Sequence, residues 1–407
     1  MERFRHVENA FRSSCLEWGY REIRTPTLEY LHLFTSTGTL TPNMLGRIYS
    51  FLDWDGWSGE RVVLRPDSTI PAARLYIDNL LAVRPAKLFY VQNVFRFENT
   101  GKDSRERWQC GAEIIGSAGP LADVELIMLA AETLGRLGIR DARLRLSHAG
   151  MIRGLLSALG LSSAEQGELF DRMLDGETDV FGKVISDHPG LKEPLSLLLE
   201  GKGTSAGYLR NLKASLARAF PDSGLDASMA DFITIAECLS ELGCEYEIDM
   251  ASGRGFEYYT GIIFRFYWGE EALGGGGRYN DLIPLLGGGD VSASGFALSV
   301  DQLMGLIEDW QDAKPTVLVR AGTDTARAHK LCFDAAGLLR QAGYVAELDR
   351  GYKRPTQHAW VLSVQVKGKS PVFVLTDRAG TRTIKVTSPN AIVDALQVAD
   401  AGETGPS

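Results

Sequence analysis

The stretch GGGGRYNDLIPLLGGGDVSASGFALSVDQL, Gly274 to Leu303, places two glycine clusters and a short apolar strand in front of a helix start. Glycine at this density lets a backbone approach something closely, because no Cβ stands in the way. The pattern does not fit a phosphate loop, since no Gly-Lys-Ser/Thr follows the glycines. Nor does it fit a dinucleotide fingerprint, since no βαβ context surrounds it.

The rest of the chain supplies the frame for that stretch. Apolar residues at helical spacing (Phe4, Val7, Phe11, Cys15, Trp18) predict a first helix that stops at Gly19. Short strands follow at YREI, IYSFLD and RVVLRP. STIPAARLYIDNLLA then reads as a helix, with Ser68 as its N-cap and Pro71 in its first turn. AKLFYVQNVFRFE and WQCGAEIIGS flank the polar NTGKDSRER, which predicts a hairpin with a charged tip. A helix at PLADVELIMLAAETLGRLG, a strand at ARLRLSH and a helix at MIRGLLSALG come next. Residues of about 162–228 are polar, helical in pattern and poor in strand signals, as expected of an inserted arm. Strands return at YEIDMAS, GFEYYTGIIFRFYW and SASGFAL, before a helix at SVDQLMGLIEDWQ. This order is α+β, a mostly antiparallel sheet with flanking helices over residues 1–313. From Lys314 strands and helices alternate, so a small C-terminal α/β domain is expected over 314–398, with 399–407 as a flexible tail.

Composition narrows the chemistry. A formal net charge of −9 argues against a nucleic-acid surface, which ordinarily carries a basic surplus. The five cysteines lack CxxC spacing and the six histidines are dispersed. Neither a disulfide framework nor a metal site is expected, and a reducing, cytoplasmic location fits. Charges interrupt the N-terminal helix every few residues, unlike a signal peptide. No apolar run approaches the roughly 20 residues of a membrane span. No Ser/His/Asp or Cys/His nucleophile set stands out, and no cofactor is implied.

Three constellations could carry chemistry, each with two readings. In LRPDST, Arg65, Asp67 and Thr69 either project toward a pocket or simply end a strand and cap a helix. In the hairpin, Arg96 and Glu98 share one strand face, as do Gln109 and Glu113. Such a face either complements a small zwitterion, carboxylate to ammonium and guanidinium to carboxylate, or is a solvated surface with ion pairs. In GRGFEYYTG, Tyr258 and Tyr259 either line a cavity or sit in an ordinary strand.

Taken in order, these motifs resemble the class II histidyl-tRNA synthetase family. RGFEYYTG and GGGGRYNDL are similar to that family's two histidine-pocket stretches, FRFE…RERWQCGAE to the class II second motif, and LRPDST to a substrate-holding strand. The resemblance covers roughly residues 1–312. It implies a class II aminoacyl-tRNA synthetase-like six-stranded antiparallel sheet, a dimer, and an anticodon-binding-like C-terminal domain. It also implies a pocket for free histidine. Glu113, Asp67 and Thr69 would hold the α-amino group, with Gln109 and Arg254 on the carboxylate side. Tyr258 and Tyr259 would contact or wall the imidazole, and Arg96, in the stretch similar to the second motif, is a further candidate for the histidine site.

Where a synthetase has an arginine to grip the ATP phosphates, GFALSVDQL has Gln302, and Ser299 replaces a glycine. A neutral amide cannot offset the charge that develops during adenylation. Asp67 also stands where synthetases have Glu, and the second-motif loop is about one residue shorter. A synthetase scaffold with a damaged ATP grip resembles the regulatory-subunit family of ATP phosphoribosyltransferase, as do QCGAEIIG, ADVELIMLAAETLGRLG and LSHAGMIRGLLSALGL. That resemblance implies a subunit with no catalytic residues of its own. It would form a dimer within a hetero-octamer, activate a short-form catalytic subunit and contribute to feedback inhibition by histidine, with no tRNA partner. A histidyl-tRNA synthetase is the alternative reading, and a paralogue serving another amino acid is a third.

Overall fold

A computed structural model describes residues 1–36, 48–54, 59–97, 105–117, 119–158, 165, 186, 201–220, 225–250, 259–307, 315–351, 358–367 and 370–401. The chain divides into two units, Met1–Glu308 and Asp309–Ser407.

In the first unit twelve strands are described. They are β1 (Arg21–Glu22), β2 (Leu28–Tyr30), β3 (Ser50–Trp54), β4 (Gly59–Leu64), β5 (Ala86–Phe95) and β6 (Glu106–Ile115). The others are β7 (Arg143–His148), β8 (Lys202–Gly203), β9 (Glu247–Asp249), β10 (Ile262–Trp268), β11 (Glu271–Arg278) and β12 (Ala293–Ser299). Nine of them form one sheet in the order β1-β5-β6-β12-β11-β10-β7-β9-β8. The six consecutive strands from β5 to β7 are antiparallel throughout, the sheet that the sequence resemblance implies. The short β1 and β9 add parallel to its two ends, and β8 completes the far edge.

Alternation along these strands gives the sheet two unlike faces. On one, Phe89, Phe264 and Phe296 are fully or almost fully buried. Phe11 of helix Glu2–Glu17 meets Phe89 and Phe296 edge-on, at centroid distances of 6.0 and 6.2 Å. Helix Pro120–Arg136 packs beside it. Burying each such ring contributes on the order of 1.5–3 kcal/mol. The opposite face carries Tyr90, Gln92, Gln109 and Glu113, and it positions the candidate site. A separate three-stranded sheet, β2-β4-β3, leaves Tyr30, Phe51, Leu52 and Trp54 exposed.

The helix at Thr69–Asn79 forms where expected, but its cap differs from the expectation. Ser68 makes no side-chain cap bond, and among the described residues its hydroxyl has no partner. Asp67 Oδ1 accepts from Ile70 N at 3.2 Å instead, satisfying one of the orphan amides of the first turn. The expected arm at 162–228 lies largely outside the described residues. What is described there is β8, helix Ala206–Ala219 and the start of helix Leu225–Glu241.

The second unit is α/β. Its sheet runs β14 (Val345–Leu348), β13 (Thr316–Ala321), β15 (Trp360–Lys367), β16 (Ser370–Asp377), β17 (Thr383–Val386). Helices Ala326–Gln341 and Asn390–Ala401 close a core of Val319, Ala336, Leu362, Phe373 and Leu396. Thr325 caps the first of them, accepting from Ala328 N at 3.2 Å. The second helix carries the chain into the segment read as a tail.

Candidate functional site

Three glycines open the front of the large sheet. Register pairs Leu88 with Glu113, Glu113 with Gly295 and Gly295 with Gly277, so these residues form one row across four strands. A Cβ on Gly295 would overlap the Glu113 carboxylate, and one on Gly277 would stand 2.9 Å from the Tyr259 ring. One row along, Tyr90 pairs with Gly111, where a Cβ would lie 2.5 Å from the phenol. The glycines therefore make room for a buried carboxylate and two phenol rings. Of the 274–277 cluster, Gly277 is the member that contributes to this opening.

Glu113 is 1% exposed. Tyr90 donates its hydroxyl to Oε1 at 3.0 Å, and Tyr279 donates to Oε2. Burial pushes the Glu113 carboxyl up to about 8, against the hydrogen bonds of Tyr279, Thr69 and Tyr90, and the nearby Asp67 carboxylate adds to the rise. Burial likewise raises Asp67, against the amides of Ile70 and Thr69 and the charge of Arg96. Two carboxyl groups with raised affinities for a proton, ringed by hydroxyls, suit a small cation. A bound ammonium would take the place of the proton on Glu113.

The structure places the predicted residues unequally. Glu113, Thr69 and Tyr259 are all buried around the glycine row, and Asp67 is half-buried beside them while also capping its helix. Arg96, Gln109 and Gln302 line an adjoining cavity of about 530 Å³. Arg254 and Tyr258, like Glu98 and the loop after it, lie outside the described residues. Arg65 does not reach the pocket. It is 4% exposed and ties Thr25 O at 2.8 Å, Pro26 O at 3.0 Å and Asn93 O at 2.7 Å. It is a structural brace between the start of β2 and β5.

The cavity sits over β5, β6, β10, β11 and the β12–helix junction. Arg107 and Arg265 join Arg96 in its wall, with Glu271 and Asp301 opposite in charge. Asp301 Oδ2 accepts from Trp108 N at 2.9 Å, fixing the first turn of helix Val300–Leu306 against the hairpin. Gln302 follows it in the wall and brings no charge. Among the described residues no donor reaches Gln109 Oε1, a buried acceptor at the cavity's edge.

Sequence reasoning missed Tyr90, Tyr279 and Gly295. Tyr279 had a signal: it lies two residues beyond Gly277 and so on the same face. Tyr90 lies on the Glu113 face by the same period. Gly295 is identified only by the pairing of β12 with β6. Among the described residues no group of His, Cys, Asp and Glu could hold a metal ion, and no helix is long and apolar enough to cross a membrane.

The profile of the histidyl-tRNA synthetase family matches residues 1–303. An ATP phosphoribosyltransferase regulatory subunit of Dehalococcoides mccartyi is 48% identical over 399 residues, covering 97% of this chain and 95% of the relative. A histidine–tRNA ligase of Methanocaldococcus jannaschii is 32% identical over 362 residues, 86% of this chain and 82% of that one. Among solved structures, an ATP phosphoribosyltransferase regulatory subunit/histidyl-tRNA synthetase from Bacillus halodurans superposes with a TM-score of 0.72. Its sequence is 23% identical, and the match covers 87% of this chain and 90% of that one, a likeness of fold.

Proposed function

Because this chain belongs to the histidyl-tRNA synthetase family, and within it to the ATP phosphoribosyltransferase regulatory subunits, we propose that it activates a short-form catalytic subunit and relays feedback inhibition by histidine. Gln302 carries the reading. It stands in the wall of the cavity beside the Glu113 cluster, where adenylation would call for a cation. The amino-acid pocket is kept and the chemistry beside it is given up. The chain is therefore not itself a catalyst. It works in the cytoplasm, in the pathway that makes histidine, and has no tRNA partner.

Free histidine binds with its ammonium at Glu113, Asp67 and Thr69. Its carboxylate would meet Gln109 and Arg254, with Arg96 a further candidate for the site, and Tyr258 and Tyr259 would contact or wall the imidazole. Regulation then needs two states of the complex, one of which binds histidine better. A coupling of about 1–3 kcal/mol is the ordinary scale for such linkage. Self-association as a dimer within a hetero-octamer is supported by the β2-β4-β3 sheet. Tyr30 and Phe51 share one cross-strand row on it, and Leu52 and Trp54 occupy the other face of β3. Trp54 is 64% exposed, and an apolar sheet of this kind is ordinarily covered by a partner.

The second reading is a histidine–tRNA ligase, favoured by Arg96 in the cavity wall and by the 32% identical ligase. ATP–pyrophosphate exchange separates the two. Absence of histidine-dependent exchange is expected, and robust exchange would sink the regulatory reading.

A further inference from the structure

The face of the sheet behind Glu113 holds a second polar cluster, which the pocket reading does not use. Asp123, in the first turn of helix Pro120–Arg136, is fully buried and ties two strands at once. Its Oδ2 pairs with the Arg278 guanidinium on β11, with Arg278 Nε donating at 3.1 Å. Its Oδ1 accepts from Ser294 Oγ on β12 at 2.7 Å. Arg278 continues to a third element. Its Nη1 lies 3.0 Å from Oδ2 of Asp231, on helix Leu225–Glu241. That same oxygen is 3.4 Å from His148 Nε2 at the end of β7. His148 Nδ1 accepts from Met151 N at 3.2 Å, which leaves Nε2 to carry the proton toward Asp231.

The placement of this cluster gives it meaning. Arg278 and Ser294 are cross-strand partners. The residue after each faces the other way: Tyr279 donates to Glu113, and Gly295 leaves the space that Glu113 fills. Arg278 O also accepts from Thr260 N at 2.8 Å, holding the residue that follows Tyr259. Two members of the cluster are chain neighbours of pocket residues, Arg278 of Tyr279 and Ser294 of Gly295, so the two faces share the same stretch of backbone. One cation between a buried and a partly buried carboxylate is a poor device for stability alone, because desolvation can cancel the Coulomb gain. Its geometric effect is more direct: ion pairs to Asp123 and Asp231 restrain Arg278, the residue next to Tyr279.

We propose that Asp231 and Arg278 are positioning residues for the pocket, an inference that rests on reading that pocket as the histidine site. Through the Asp231–Arg278–Asp123 clamp, helix Leu225–Glu241 and the Tyr279–Glu113 contact behave as one mechanical unit. By linkage, occupancy of the pocket is felt at that helix as well.

The test uses the full chain and L-histidine, with calorimetry across about pH 6 to 9, the span that brackets the raised Glu113 carboxyl. The variants are Asp231→Asn, Asp231→Glu and Arg278→Lys, each with its thermal midpoint. Asp231 is partly exposed, so Asp231→Asn should fold with little change in midpoint. It should bind histidine about tenfold more weakly, with the pH midpoint of binding displaced. Asp231→Glu should recover part of both. Arg278→Lys should resemble Asp231→Asn, because a single ammonium cannot bridge two carboxylates as a guanidinium does. Binding by Asp231→Asn and Arg278→Lys that matches the wild type in affinity and pH midpoint overturns the proposal. So does weakened binding that merely follows lost thermal stability and is not recovered by Asp231→Glu. If the wild type itself binds no histidine, the pocket reading fails, and the inference fails with it.

Discussion

Glu113 and Gly295 are cross-strand partners, and the carboxylate of the first occupies the space that a side chain on the second would fill. Gly295→Ala therefore forces Glu113 out of its contacts with Tyr90 and Tyr279. The expected cost is about 1–3 kcal/mol of stability, the scale of overpacking a filled core. Histidine affinity should fall by more than the stability loss alone explains. Denaturant unfolding and calorimetry on the same preparation check this, and a variant that binds as the wild type does would refute the assigned role of Gly295.

The raised carboxyl of Glu113 sets a pH dependence in the unliganded chain. Its folded value, pushed up to about 8, lies above that of an unfolded glutamate, so the folded state holds the extra proton between the two. That contribution to stability is complete below the unfolded value and is lost as pH rises through about 8. Histidine binding runs the opposite way, because the ammonium favours the ionised form, so affinity rises toward pH 8. Glu113→Gln should flatten both curves and weaken binding. Thermal midpoints and calorimetry across this range provide the measurement.

Gln302 brings no charge to a wall that already holds Arg96, Arg107 and Arg265. Gln302→Arg adds a cation on the first turns of helix Val300–Leu306 and should tighten ATP binding at least severalfold, with histidine affinity little changed. Titration with ATP reads this directly. No gain in ATP affinity would mean that this position does not address the nucleotide phosphates.

Trp54 stands on an exposed apolar strand. Trp54→Glu should shift the chain toward the monomer in sedimentation while leaving its thermal midpoint close to that of the wild type. An unchanged sedimentation profile would move the self-association surface elsewhere.

Much of this was legible before any coordinates. Five of the six long strands declare themselves because period-2 alternation survives on the face packed against Phe11, and Gln109 and Glu113 share a face by the same rule; β11 does not, because four glycines carry no alternation. Two things were not legible. Local sequence could not say which of Asp67 and Ser68 caps the helix, since both are good acceptors and the choice depends on backbone direction. Nor could it say that Arg65 turns inward to brace Thr25 and Asn93 while Arg96 lines the cavity, because both follow strand residues of similar pattern. The clamp at Asp123, Arg278 and Asp231 draws on three elements far apart in sequence, and only strand register and helix packing bring it together.

The role proposed for this chain is to govern another subunit's chemistry. The most direct measurement is phosphoribosyltransferase turnover by a short-form catalytic subunit, with and without this chain, as histidine is added. Turnover should rise when the chain is present and histidine should then lower it, with Glu113→Gln blunting the fall. Turnover indifferent to the chain at every histidine concentration would contradict that role.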